Sequence, residues 1–268
     1  MVSSNFALGD SKIIPLHYNE SVDYYTTFLN SKFNVYSCCL WEGCNTTEEA
    51  EIQKADLFAE LLELKKADKV FDFGCGFGGT ASILTERYHS DITGFELRPH
   101  WVEFARKSYK ARYECKDLYD TVGPVDKIYS DGMLVHQPRE KIYGKCFQLL
   151  PPGGIMVHKE LYATGNWSEK DCRELNLTFD NTGAYTKMEH DLKILEALGF
   201  ENTVVERDIT NYTLTTNNWL RMMLKHKEKL VELVGWAKLE KDHNMLMAMH
   251  KKYTERLFTV LFVKSVKK

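Results

Sequence analysis

The run Val70-Phe71-Asp72-Phe73-Gly74-Cys75-Gly76-Phe77-Gly78-Gly79 carries an apolar strand into a glycine-rich turn and then into a helix. Glycine lets the backbone turn tightly and lets a ligand come close with no Cβ in the way. About twenty residues further on, Glu96 closes the next apolar strand, where a carboxylate can accept hydrogen bonds from both hydroxyls of a ribose. Asp117, at the end of a third strand, is placed to accept from an adenine amino group. Together these residues predict a nucleoside-bearing ligand. Nicotinamide and flavin enzymes use a similar loop, so the glycines do not choose among such ligands. Asp72 does, because a carboxylate two residues before Gly74 opposes a diphosphate and suits a cation.

The cation that fits this reading is the methionine part of S-adenosylmethionine. Methyl transfer from a sulfonium is an in-line displacement, so a protein doing it mainly aligns the acceptor, excludes water and, where needed, takes a proton. His136 follows the fourth strand at the sheet edge that faces such a ligand, where an imidazole can take that proton. Tyr18 is expected to close over His136, and Tyr24, Tyr25 and Trp41 offer rings to a cationic or apolar acceptor. Asp131 and Glu160 stand at strand ends, where either can hold an amine or simply cap and pair. Met222, Met223, Met245, Met247 and Met249 give soft surface for an apolar pocket, or plain core, and Lys225, Lys227 and Lys229 lie nearby.

The elements that must position these residues read as an α/β chain. From Lys69 onward, short apolar runs rich in branched residues alternate with helical periodicity, which predicts a Rossmann-like, seven-stranded parallel sheet flanked by helices. The expected strands are Lys69–Phe73, Asp91–Leu97, Tyr113–Lys116, Lys127–Asp131, Ile155–Glu160, Thr203–Asp208 and Arg256–Lys264; the expected helices are Gly79–Tyr88, Pro99–Ala111, Arg139–Leu150 and Met188–Leu198. Two helical regions fall outside the alternation, within residues 1–64 and as an insertion over 213–253 of a 65–268 domain, and both are read as lids over the carboxyl ends of the strands. A formal charge of -3 gives no general attraction to nucleic acid, and no stretch has the roughly 20 apolar residues of a membrane span. Seven scattered cysteines, an odd number without Cys-x-x-Cys pairs, fit a reducing compartment better than a disulfide framework or a structural metal site. The expectation is therefore a cytoplasmic protein with no metal, no nucleic-acid partner and no stable membrane insertion, a homo-oligomer being left open.

On these motifs, residues 69–160 resemble the class I S-adenosylmethionine-dependent methyltransferases, whose final strand runs antiparallel to the rest. The resemblance implies that Asp72, Gly74 and Gly76 hold the methionine end, Glu96 with Leu97 the ribose, and Asp117 with Leu118 the adenine, with Trp101 against the adenine and Ser130 also at the cofactor. His17-Tyr18-Asn19, Asp23-Tyr24-Tyr25, Tyr36-Ser37-Cys38 and Thr47-Glu48-Glu49-Ala50 are, in that order, similar to the cyclopropane-fatty-acid-synthase-like group, which includes plant alkaloid (coclaurine) N-methyltransferases. That likeness gives Tyr18, Tyr36 and Ser37 a place over the cofactor. It also exposes a departure: the group's Glu before His136 is Val135 here, while Cys38 and His158 match the other positions of the bicarbonate site that the lipid synthases build with that Glu. Ile128-Tyr129-Ser130 with His136 further resembles the phosphoethanolamine methyltransferases, which pair a lid tyrosine with this histidine; Gly132 stands where they carry an Asp, and Tyr185 is the one match to their phosphate-binding residues. The resulting expectation is methyl transfer to a small amine, with His136 and Tyr18 catalytic and Tyr25, Asp131, Glu160 and Tyr185 on the acceptor. The alternatives are methylation at carbon, on a lipid or prenyl diphosphate alkene, and a non-catalytic cofactor-binding protein.

Overall fold

The computed structural model describes residues 20–165, 168 and 186–268. In chain order the elements are α1 (Val22–Leu29), α2 (Thr47–Leu61), β1 (Lys69–Phe73), α3 (Gly79–Tyr88), β2 (Asp91–Glu96), α4 (Pro99–Ser108), β3 (Arg112–Cys115), β4 (Lys127–Asp131), α5 (Arg139–Leu149), β5 (Ile155–Ala163), α6 (Met188–Leu198), β6 (Phe200–Arg207), α7 (Thr210–Lys225), α8 (Lys227–Val234), α9 (Trp236–Thr254) and β7 (Phe258–Lys267). The strands form one sheet in the order β3-β2-β1-β4-β5-β7-β6. Every pairing is parallel except those of β7, which runs antiparallel to both β5 and β6. The order reverses direction between β1 and β4, and the crevice beyond the carboxyl ends of those two strands is where open α/β sheets bind ligands.

Local chemistry explains the boundaries. Gly199, left-handed at φ 98°, ends α6 and turns the chain straight into β6, so that strand starts three residues before the expected Thr203. Arg256, also left-handed at φ 54°, delays the start of β7 to Phe258. Thr46 and Glu49 form a reciprocal capping box that starts α2. Gly79 is held to glycine by close approach: a Cβ there would lie 1.9 Å from the Phe33 carbonyl oxygen, because the connection between α1 and α2 lies directly on the glycine turn.

The helical regions outside the alternation divide in two. Helix α2 belongs to the layer packed on the sheet, with the Phe58 ring centroid 5.2 Å from both Tyr129 and Phe262. By contrast α1, α7, α8 and α9 pack on one another around Tyr24, Phe28, Trp219, Met222, Leu230 and Leu246, and this cluster continues onto Phe77 of the glycine turn and Trp101 of α4. Tyr24 joins the first helix to the insertion, its hydroxyl donating to Asp242 Oδ2 at 2.6 Å. Met222 and Met223 are buried in this cluster.

Candidate functional site

The glycine turn after β1 and the loop after β4 face each other across the crevice. Gly74 and Gly76 take positive φ of 79° and 56°; a Cβ at Gly76 would meet nothing closer than Trp101 at 3.9 Å, so Gly76 offers bare backbone to the cavity, whereas a Cβ at Gly74 would lie 2.6 Å from Met133 Cγ. Asp72 is buried at 2 % exposure and accepts from the Tyr129 hydroxyl at 2.7 Å. Burial pushes its carboxyl up to about 8, against the pull of the Tyr129 hydrogen bond. Glu96 uses Oε1 to accept from the Leu97 and Arg98 backbone N–H groups at 2.8 and 3.2 Å and from the Arg98 guanidinium at 2.6 Å. These three donors fix its carboxylate at the end of β2.

Three cavities meet in the crevice. The first is lined by Tyr36, Ser37, Asp72, Gly74, Gly76, Glu96, Asp131 and His136. The second continues from Gly74, Glu96 and His136 to Leu97, Asp117 and Leu118. The third shares Tyr36, Ser37, Gly132 and His136 with the first and opens into a chamber of Leu161, Tyr212, Trp219, Met245, Leu246, Met249 and Tyr253, with Lys159 and Glu160 on its wall. His136 closes the short 3-10 turn Leu134–His136 and borders all three. That turn is held from β5, where Glu160 Oε1 accepts from the Leu134 N–H at 2.6 Å. Burial pushes the Glu160 carboxyl up to about 7, opposed by the Arg139 charge.

Several expected site residues do other work. The Ser130 hydroxyl donates to the Phe73 carbonyl at 3.1 Å, tying β4 to β1, and does not border these cavities. Tyr25 is 2 % exposed inside an aromatic cluster with Trp101 and Phe77 at 5.3 and 5.6 Å and does not border these cavities. The Trp41 indole donates to Thr215 Oγ1 at 2.9 Å, anchoring the α1–α2 connection to α7. Trp101 stacks on Phe77 at 4.1 Å and borders the glycine-turn cavity, not the cleft of Asp117 and Leu118. Tyr18 and Tyr185 lie outside the described residues.

Asp131 is the largest departure. Its carboxylate is clamped by two buried lysines, Lys54 from α2 at 2.5 Å and Lys159 from β5 at 2.6 Å, and also accepts from Ser37 at 2.6 Å. An amine would have to displace a lysine from it, so its observed part is internal pairing. Burial alone would raise this carboxyl, but Lys159 and Lys54 hold it below the usual carboxylate range. Lys54 was legible in principle, because on α2 it shares a helical stripe with Ala50, Phe58 and Leu61, all buried. Lys54→Met leaves a buried carboxylate with one partner fewer; we expect a loss of about 3 kcal/mol, read as a melting temperature lower by roughly 10 °C. A melting temperature unchanged in Lys54→Met would show that the clamp carries no stability.

The positions that resemble a bicarbonate site are not brought together. Successive residues of a strand point to opposite faces. Lys159 reaches the Cys38 carbonyl at 3.3 Å, while His158 turns to the far face, 2.9 Å from the Tyr162 hydroxyl. There Tyr143 and Tyr162 both donate to Asp191 Oδ2, at 2.7 and 2.8 Å. Burial pushes His158 down to about 4 and the Cys38 thiol up to about 12, so both are neutral near pH 7.

The chain matches the mycolic acid cyclopropane synthetase family over residues 9–262, and it belongs to that family. Among curated proteins it is similar to the sphingolipid C9-methyltransferase of Candida albicans, 26 % identical over 250 residues, which cover 84 % of this chain and 48 % of that one. Among solved structures it is similar to a cyclopropane synthase of Mycobacterium tuberculosis, with a TM-score of 0.90 and 21 % identity over 98 % of this chain and 100 % of the other. It is also similar in fold to a coclaurine N-methyltransferase, with a TM-score of 0.77 and 17 % identity over 96 % and 82 % of the two chains. The chain spans about half the length of the curated relatives it matches first. The fold of these structures is the Rossmann-like methyltransferase fold, and the residues of the crevice fit S-adenosylmethionine: a buried carboxyl at a glycine turn that is bare at Gly76, and a second carboxylate, fixed by backbone donors, bordering two joined cavities.

Proposed function

We propose that this protein transfers a methyl group from S-adenosylmethionine to an acceptor with a large apolar body, at an unsaturated carbon of a lipid. The observation that carries the proposal is the position of His136, on the shared border of the two cavities that hold Asp72, Glu96 and Asp117 and of the chamber walled by Leu161, Trp219, Met245, Leu246 and Met249. When bound, S-adenosylmethionine supplies an electrophilic methyl group on a positively charged sulfur. Asp72 would hold its ammonium, Glu96 its ribose and Asp117 with Leu118 its adenine. Asp117 already orders that edge by accepting from the Tyr119 N–H at 3.0 Å.

The acceptor chamber supports an apolar partner. Leu161, Leu246, Met245 and Met249 exclude water, and Tyr212, Trp219 and Tyr253 present rings to positive charge developing on the acceptor. The names of two relatives, a sphingolipid C9-methyltransferase and a cyclopropane mycolic acid synthase, point to lipid acceptors. Methylation at nitrogen is the second reading, favoured by the Glu160 carboxylate on the chamber wall, which suits an ammonium. Incubation with methyl-labelled cofactor and separated lipid and amine fractions tests the choice: label on carbon in the lipid fraction supports the first reading, and label only on nitrogen supports the second.

Both reactions release a proton, and Glu160, on the chamber wall and bonded to the turn that carries His136, is its proposed acceptor. Glu160→Gln keeps an oxygen for the Leu134 N–H but removes the basic form; turnover should fall by about 100-fold. Because only the carboxylate accepts a proton, the wild-type rate should rise with pH through about 7. Full activity in Glu160→Gln would limit this residue to holding the His136 turn.

A further inference from the structure

We infer that the outer face of the helical insertion is a docking surface for an anionic lipid bilayer; this rests on the proposed lipid acceptor and says how it is reached. Between residues 210 and 254 there are eight basic against four acidic residues, in a chain that is acidic overall at -3. Arg221, Lys225, Lys227, Lys229 and Lys251 are exposed there. Seven large apolar side chains are exposed among the described residues, and five of them, Leu214, Leu224, Leu233, Trp236 and Met247, lie on this insertion. Leu224 is 64 % exposed and Trp236 51 %, and the Lys227 ammonium sits 4.5 Å from the Trp236 ring centroid. Tryptophan beside lysine on exposed amphipathic helices is the pattern of a surface that lies in the headgroup layer, the ring in the interface and the ammonium on anionic headgroups.

The same helices wall the acceptor chamber from inside. On α7, Tyr212 and Trp219 face the chamber while Leu214, Arg221 and Leu224 face outward; on α9, Met245, Leu246 and Met249 face it while Trp236, Met247 and Lys251 face outward. A bilayer against the outer face is therefore one helix thickness from the chamber. No helix among the described residues is long and apolar enough to cross a membrane, so the contact is peripheral.

Flotation of the full chain with phosphatidylcholine vesicles, with and without phosphatidylglycerol, tests the surface. The chain is expected to float with the anionic vesicles and be released by salt. Trp236→Ser with Leu224→Ser should weaken vesicle binding by about tenfold or more. Lys225→Glu with Lys227→Glu and Lys229→Glu should weaken it by roughly 100-fold. Calorimetry with S-adenosylhomocysteine and a thermal melt on the same samples show that each variant is folded. Wild-type protein that binds S-adenosylhomocysteine but stays unfloated overturns the docking surface alone, whereas failure to bind S-adenosylhomocysteine overturns the proposed function. Vesicle binding that is unchanged in both variants also overturns the docking surface, since the bilayer would then be held by another part of the chain.

Discussion

Asp72→Ala should raise the dissociation constant for S-adenosylhomocysteine by about 100-fold or more, with the fold intact. Asp72 is the buried carboxyl at the glycine turn, 2 % exposed and within 2.7 Å of the Tyr129 hydroxyl. Removing one member of a buried charge pair costs about 2–5 kcal/mol, because the remaining charge stays desolvated and unpaired. The pH dependence is a second signature of the same residue. In the free protein burial pushes Asp72 up to about 8, so below that pH the group carries a proton that it must lose to meet an ammonium. Cofactor affinity should therefore rise about tenfold per unit from pH 6 toward 8 and level off above it. Asp72→Asn should flatten that slope. Calorimetry across the pH range reads both effects, and a wild-type affinity that falls as pH rises from 6 to 8 would contradict this role.

His136→Ala should lower turnover by at least about 100-fold while changing cofactor affinity by no more than about threefold. The side chain borders the cofactor cavities and the acceptor chamber at once, and the turn carrying it is anchored to β5 through Glu160 and the Leu134 N–H at 2.6 Å. An imidazole there can take a proton or orient the acceptor, and loss of either leaves binding of the nucleoside untouched. Single-turnover transfer with saturating cofactor isolates that step from product release. Equal loss of cofactor affinity and of turnover would instead mean that His136 belongs to the nucleoside site.

The sheet and the glycine turn were readable from the chain because they obey local rules. β1, β4, α3 and α6 have the expected boundaries; β1 and β4 each run from an Asp to a Gly, Gly78 opens α3 and Gly199 closes α6. The antiparallel β7 was expected only through the family resemblance, since periodicity carries no strand direction. What escaped was long-range pairing. Nothing local to Asp131 says that lysines 77 residues before it and on the neighbouring strand will close on its carboxylate. Tyr25 and Trp41 fall into the same class, as aromatic residues whose partners come from α4 and α7. The Ser130 hydroxyl, expected at the cofactor, serves the strand pair beside it. Cys38 and His158 do not share one site because strand alternation sends His158 to the face opposite Lys159, and Lys159 is the residue that reaches the Cys38 carbonyl.

Ligand choice at the turn between β1 and α3 decides whether the whole account stands. Isothermal titration of the protein with S-adenosylhomocysteine and, separately, with NADH compares an ammonium-bearing amino-acid tail with a diphosphate bridge at the same buried carboxyl. Saturable heat with S-adenosylhomocysteine and none with NADH is the predicted result; heat with NADH and none with S-adenosylhomocysteine would contradict it.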